Sequence, residues 1–169
     1  KNEEAMQKVL PIGSVILTGS DFDRQIFAMF LDDGLLKVAE RFSIYMSETD
    51  KALGISRWLF KRDRLGDMWQ EENLSPRAVA YLQDHKKLSF INATNAEAAD
   101  TGNGHAYFRK SPWVSSDVLM TLAYSQYPEE RGLVLSPKSP TWVFPPDYGQ
   151  RLTNILLKKH PGLRERLET

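Results

Sequence analysis

The 169-residue chain contains no cysteine, which excludes disulfides and thiolate metal sites and leaves its compartment open. It has no charge excess either: 22 Lys+Arg stand against 22 Asp+Glu, so no net field recruits nucleic acid or an anionic membrane surface. No apolar run approaches the ~20 residues of a membrane span, and no signal-peptide apolar core is present. Only three histidines occur, none at His-x-x-x-His spacing, which argues against a zinc site; no cofactor is expected. Internal repeats are absent, and so is Gly-x-Ser-x-Gly. What remains is ordinary globular material, 41% hydrophobic and 26% charged, long enough for one domain with a sizeable core.

Three short apolar runs read as buried strands. Ser14-Val15-Ile16-Leu17-Thr18 is apolar with β-branched residues, and the runs Arg41 to Ser47 and Leu88 to Ala93 are likewise strand-like. Between them lie helical spacings: Ile26, Phe27, Phe30 and Leu31 behind Asp21 or Asp23 as cap, then Leu35, Leu36, Val38 and Ala39, then Ala52 to Leu59 behind Thr49 or Asp50. Ser75-Pro76 is a cap-plus-proline helix start. Ser115-Ser116-Asp117 reads as the start of a helix through Leu122, and Leu152, Ile155, Leu156 and Leu163 as a final amphipathic helix. Strand–helix alternation predicts an α/β fold, a parallel sheet with flanking helices. Residues 1–127 read as that α/β region, and residues 128–169 as an extended proline-rich arm followed by the last helix.

The candidate chemistry sits after the strands. Asp50 follows the second, and His105 lies in the glycine-rich loop Gly102-Asn103-Gly104-His105 after the third. Open α/β sheets carry their chemistry at the carboxyl ends of strands. An acid after one strand and a histidine after the next is the order of the last two members of an α/β-hydrolase triad. The histidine would take a proton from a hydroxyl, and the carboxylate would hold its tautomer and stabilise the imidazolium. The plainer alternatives are helix capping by Asp50 and a loop histidine bonded to backbone. Asp21 and Asp23 offer another acid or, more simply, helix caps. His85 and His160 suit surface positions near helix ends. Ser20 and Ser56 lack the closing glycine of a nucleophile elbow, and the Arg57, Lys61, Arg62, Arg64 run reads as a solvated face.

Four blocks together resemble a bacterial α/β-hydrolase family of unknown function. A strand followed by Pro-Asp-x-Asp-x-x-x-Phe corresponds to Leu17 to Phe27, with Asp21, Asp23 and Phe27 kept and Ser20 in place of proline. Tyr45, Ser47, Asp50, Ala52, Leu53 and Ser56 fit Tyr-x-Ser-x-x-Asp-x-Ala-Leu-x-x-Ser. Leu65-Gly66-Asp67 follows. Gly104, His105, Tyr107, Phe108, Pro112, Val114 and Asp117 fit the last block. The resemblance spans roughly residues 14 to 120; no family motif is placed beyond Tyr127.

This resemblance implies the C-terminal half of an α/β-hydrolase fold, with Asp50 as triad acid and His105 as triad base. It implies esterase-like serine-hydrolase chemistry on a small-molecule ester, with the nucleophilic serine upstream and outside this chain, which by itself would be inactive. The chain starts at Lys1 rather than Met, as a fragment, a processed product or a tag-cleaved protein would. On that reading the first strand would lack its upstream neighbour, and the N-terminal half of the hydrolase or a second copy would cover the edge. A competing expectation is a non-catalytic interaction module of hydrolase-like fold, binding a partner through Trp142 and Phe144 on the Arg131–Pro146 arm.

Overall fold

A computed structural model describes residues 12–18, 35–47, 87–96, 107–137 and 140–163. Its centre is a five-stranded sheet in the order β1-β2-β3-β5-β4. The first three strands, β1 (Ile12–Thr18), β2 (Ala39–Met46) and β3 (Leu88–Asn92), are those the apolar runs predict. They are parallel and lie in chain order, with Leu17 beside Ile44, Ile44 beside Phe90 and Tyr45 beside Ile91. Alternate side chains point to opposite faces. Phe42, Ile44, Leu88 and Phe90 are buried on one face with Val15 and Leu17 packed against them, while Tyr45 and Ile91 are buried on the other with Ile16. Burial on both faces is why these runs are nearly continuously apolar.

The second helical stretch expected at Leu35 to Ala39 is corrected: only the 3-10 turn Leu35–Lys37 forms, and Ala39 already opens β2 opposite Ile12. Strand pairing takes the residues that spacing alone assigns to a helix. Within the arm, β4 (Val134–Leu135) and β5 (Trp142–Val143) pair as a small antiparallel hairpin, closed by Ser136 N–H donating to the Thr141 carbonyl at 2.8 Å. β5 then runs parallel to β3, with Ile91 beside Trp142. Two-residue strands fall below any length at which alternation can be read. Among the described residues β1 pairs with β2 alone, and the arm joins the far side of the sheet from it.

Among the described residues three α-helical segments follow: α1 (Tyr107–Lys110), α2 (Pro112–Tyr124) and α3 (Tyr148–Lys159). The expected start of α2 at Ser115 moves back to the Ser111-Pro112 pair. Ser111 is extended at φ −80°, its Oγ accepts from Val114 N–H at 3.3 Å, and Pro112 occupies the first turn, where its missing N–H costs nothing. Asp117 therefore lies inside the helix, fully buried. α2 ends at Ser125, left-handed at φ 48°, whose N–H reaches the Thr121 carbonyl.

The tail closes the core. Trp113 at the head of α2 meets Tyr148 at 5.5 Å between ring centroids, and Phe144 meets Tyr148 edge-on at 4.8 Å. Both packings suit the ring quadrupoles. Phe144 is only 3% exposed and Trp142 packs against the same cluster. Of the two aromatics on the arm, Phe144 thus belongs to this protein's own core, and Trp142 is half-buried against it.

Candidate functional site

The carboxyl ends of β2 and β3 end level with each other, Met46 beside Asn92. The ladder continues one step further, Ala93 N–H donating to the Met46 carbonyl at 2.7 Å. The chain then turns at once: Asn92 Oδ1 accepts from Thr94 N–H at 2.9 Å, and Ala96 N–H donates to the Ala93 carbonyl at 3.0 Å. An Asx side chain that satisfies an amide two residues on is a standard way to leave a strand. Ala93 and Ala96 are buried in one cluster with Tyr45 and with Val114 from the first turn of α2. The head of α2 thus packs over the carboxyl end of the sheet.

The residues singled out for chemistry, Asp50 and His105, lie outside the described residues, as do Asp21, Asp23, Ser20, Ser56 and His85. His160 is described. It closes α3 on the surface, its Nε2 2.6 Å from the Tyr124 hydroxyl, in keeping with a surface position.

Behind the strand ends the structure assembles a buried polar cluster from four distant points of the chain. Asp117 is its hub. Arg131 approaches as a fork, Nε to Oδ1 at 2.7 Å and Nη2 to Oδ2 at 3.1 Å. Tyr45 donates its hydroxyl to Oδ2 at 2.5 Å, and Tyr148 donates to Oδ1 at 3.3 Å. Both charged side chains are sealed from solvent, at 1% and 0% exposure. The third guanidinium nitrogen, Nη1, donates to the Gln126 carbonyl at 2.6 Å, so the loop after α2 wraps the arginine. Thr121 Oγ1 returns a bond to the Asp117 carbonyl at 2.8 Å.

The electrostatics follow from this burial. Taking Arg131 out of water works against its charge, but the carboxylate of Asp117 outweighs that, and the guanidinium is held more firmly protonated than usual. Burial first, and then the neighbouring negative charge of Asp117, push both Tyr45 and Tyr148 well above the ordinary phenol range. Both phenols are therefore donors, not nucleophiles or bases. With four donor contacts on its two oxygens, Asp117 has no lone pair turned toward a substrate; it holds structure together. Among the described residues no group of three or more His, Cys, Asp or Glu could hold a metal ion, and no helix is long and apolar enough to cross a membrane.

Asp117 and Tyr45 stand among the residues of the four blocks, but nothing in spacing says that they touch. Arg131 and Tyr148 carry no motif and were missed. The available signal was an acid inside the apolar stretch Trp113 to Leu122, which requires a buried partner.

A family model described as alpha/beta hydrolase of unknown function (DUF900) matches residues 1–122. No curated protein and no solved structure shows a significant match to the chain. The matched span contains β1 to β3 and nearly all of α2, whereas Arg131, Tyr148 and the β4–β5 hairpin fall after it.

Proposed function

Since the chain belongs to the alpha/beta hydrolase family of unknown function, we propose that it supplies the acid and the base of a serine-hydrolase triad for carboxylic-ester hydrolysis. Asp50 is the acid, His105 the base, and the serine lies on polypeptide outside these residues. The observation that carries the reading is the parallel pairing of β2 and β3, level at Met46 and Asn92. Asp50 is the fourth residue after the end of β2, and four residues span at most about 14 Å. His105 comes two residues before α1, and the next helix packs its first turn over the turn that follows β3. Chain connectivity supports the reading, since both positions are within reach of the end of the sheet where such folds do chemistry.

In that arrangement the His105 imidazole removes the hydroxyl proton of the serine as its oxygen attacks the ester carbonyl. Asp50 keeps the proton-bearing nitrogen oriented and offsets the imidazolium charge. The imidazolium then returns its proton to the departing alcohol, leaving an acyl-serine. A water, deprotonated by the same histidine, releases the acid and regenerates the serine.

The test needs only this chain. A carboxylate within about 4–6 Å raises a histidine's midpoint by roughly one pH unit. Proton NMR titration is expected to place His105 above the ordinary value near 6.5, and Asp50→Asn is expected to return it there. A His105 midpoint indifferent to Asp50→Asn overturns the pairing.

A further inference from the structure

The Asp117 cluster ties together the two stretches of chain on which the proposed acid and base depend. Tyr45 is the next-to-last residue of β2, the strand that runs on toward Asp50. Asp117 sits on α2, in the helical segment that follows His105 after only the short α1. Their side chains meet at 2.5 Å although they are 72 positions apart in sequence. The tail braces the contact from behind, through the Arg131 fork and the Tyr148 hydroxyl.

Such a cluster is a poor device for stability alone. A buried ion pair can often be replaced by apolar residues with no loss, and in some proteins what it contributes instead is a unique arrangement. Val114, Ala93, Ala96 and Ile91 share a buried apolar cluster with Tyr45, and apolar burial is non-directional, whereas hydrogen bonds of 2.5 and 2.7 Å are directional. A proton-transfer pair demands placement to within about half an ångström.

We propose that the Tyr45–Asp117 hydrogen bond, braced by Arg131, is a positioning device that fixes β2 against α2 and thereby sets the distance between Asp50 and His105. The inference rests on the triad reading above, and Tyr45, Asp117 and Arg131 act through the pair rather than on substrate.

The experiment is the NMR titration of His105 in the 169-residue chain, carried out on wild type, Asp50→Asn, Tyr45→Phe, Tyr148→Phe and the Asp50→Asn/Tyr45→Phe double variant. Tyr45→Phe keeps the ring in the core and deletes only the tie. It is expected to lower the His105 midpoint by half or more of the shift produced by Asp50→Asn, and the double variant is expected to titrate with Asp50→Asn alone. Tyr148→Phe removes a hydroxyl from the same carboxylate without freeing β2, and is expected to leave the midpoint in place. If Tyr45→Phe does not fold by circular dichroism, Tyr45→Leu, which also lacks the hydroxyl and leaves the Asp117–Arg131 pair intact, reads the same coupling. A midpoint that Asp50→Asn moves and Tyr45→Phe does not overturns this inference and leaves the triad reading standing. Equal shifts in Tyr45→Phe and Tyr148→Phe overturn it too, as general loosening. A midpoint indifferent to Asp50→Asn removes both.

Discussion

Arg131 grips Asp117 with two nitrogens, at 2.7 and 3.1 Å, from a turn that lies beyond the part of the chain matched by the family. The matched region therefore has a buried acid on α2 whose counter-charge is delivered by the tail. The hydroxyls of Tyr45 and Tyr148 complete the shell, and the aromatic contacts of Trp113, Phe144 and Tyr148 bury the same junction. Tail and sheet form one core.

Removing one partner of such a pair leaves an uncompensated buried charge, which costs about 3–5 kcal/mol. Arg131→Met is expected to lose stability in that range in urea unfolding. Adding Asp117→Leu is expected to recover much of it, because two apolar side chains then replace the pair. A single variant within about 1 kcal/mol of wild type would contradict the cluster as described.

Truncation at residue 122, where the family match ends, removes Arg131, Phe144 and Tyr148 together. The remaining chain keeps Asp117 and the apolar faces of Val114 and Ile91 without their cover. It is expected to lose the cooperative thermal transition and to aggregate, measured by circular dichroism and light scattering. A folded, monomeric 1–122 piece would show that the tail is dispensable.

Gly132 turns the chain from Arg131 into the core at φ 93°, and a Cβ there would stand 3.1 Å from the Arg151 Cβ. Gly132→Ala meets both the left-handed penalty and a tight contact. A loss of roughly 1–2 kcal/mol in thermal unfolding is expected. An unchanged midpoint would mean that the turn adapts.

The raised phenols give an alkaline limit. Unfolded tyrosines lose their protons near pH 10, whereas Tyr45 and Tyr148 hold theirs higher in the fold. Stability from these two groups is fully present below about pH 10 and is lost as pH rises beyond it. Of the six tyrosines, these two are expected to ionise only as the protein unfolds. Absorbance near 295 nm, followed together with circular dichroism, checks this; ionisation of all six before any loss of structure would refute it.

No serine of the chain sits in Gly-x-Ser-x-Gly, and a triad without its nucleophile retains only residual catalysis, down about a million-fold in a studied protease. The 169 residues alone are expected not to turn over short aryl esters. Turnover abolished by His105→Ala would reveal a nucleophile within the chain, with Ser20 the first to test.

The fold class was legible because it depends on local pattern. The runs around Ile16, Ile44 and Phe90 are apolar, short and β-branched or aromatic, and strands of that kind between helical spacings have few arrangements other than a parallel sheet. Asp50 and His105 were legible as candidates for the same reason, by following strands and by fitting blocks of a family pattern. Boundaries were less so: at Leu35 to Ala39 pairing with β1 overrode helical spacing, and at α2 the Ser111-Pro112 cap fixed the start four residues before the later serines suggested.

What sequence determined by itself, then, is the set of elements that hydrophobic periodicity and caps encode, and the absence of cysteine and of net charge. Tertiary structure alone decided that Phe144 goes inward with Trp142 packed against the same cluster, that the arm becomes two strands beyond β3, and that Tyr45, Asp117, Arg131 and Tyr148 share one buried site. The physical reason is range. Periodicity and capping act over three or four residues, whereas a buried carboxylate takes whatever donors the finished packing brings to it, from anywhere in the chain.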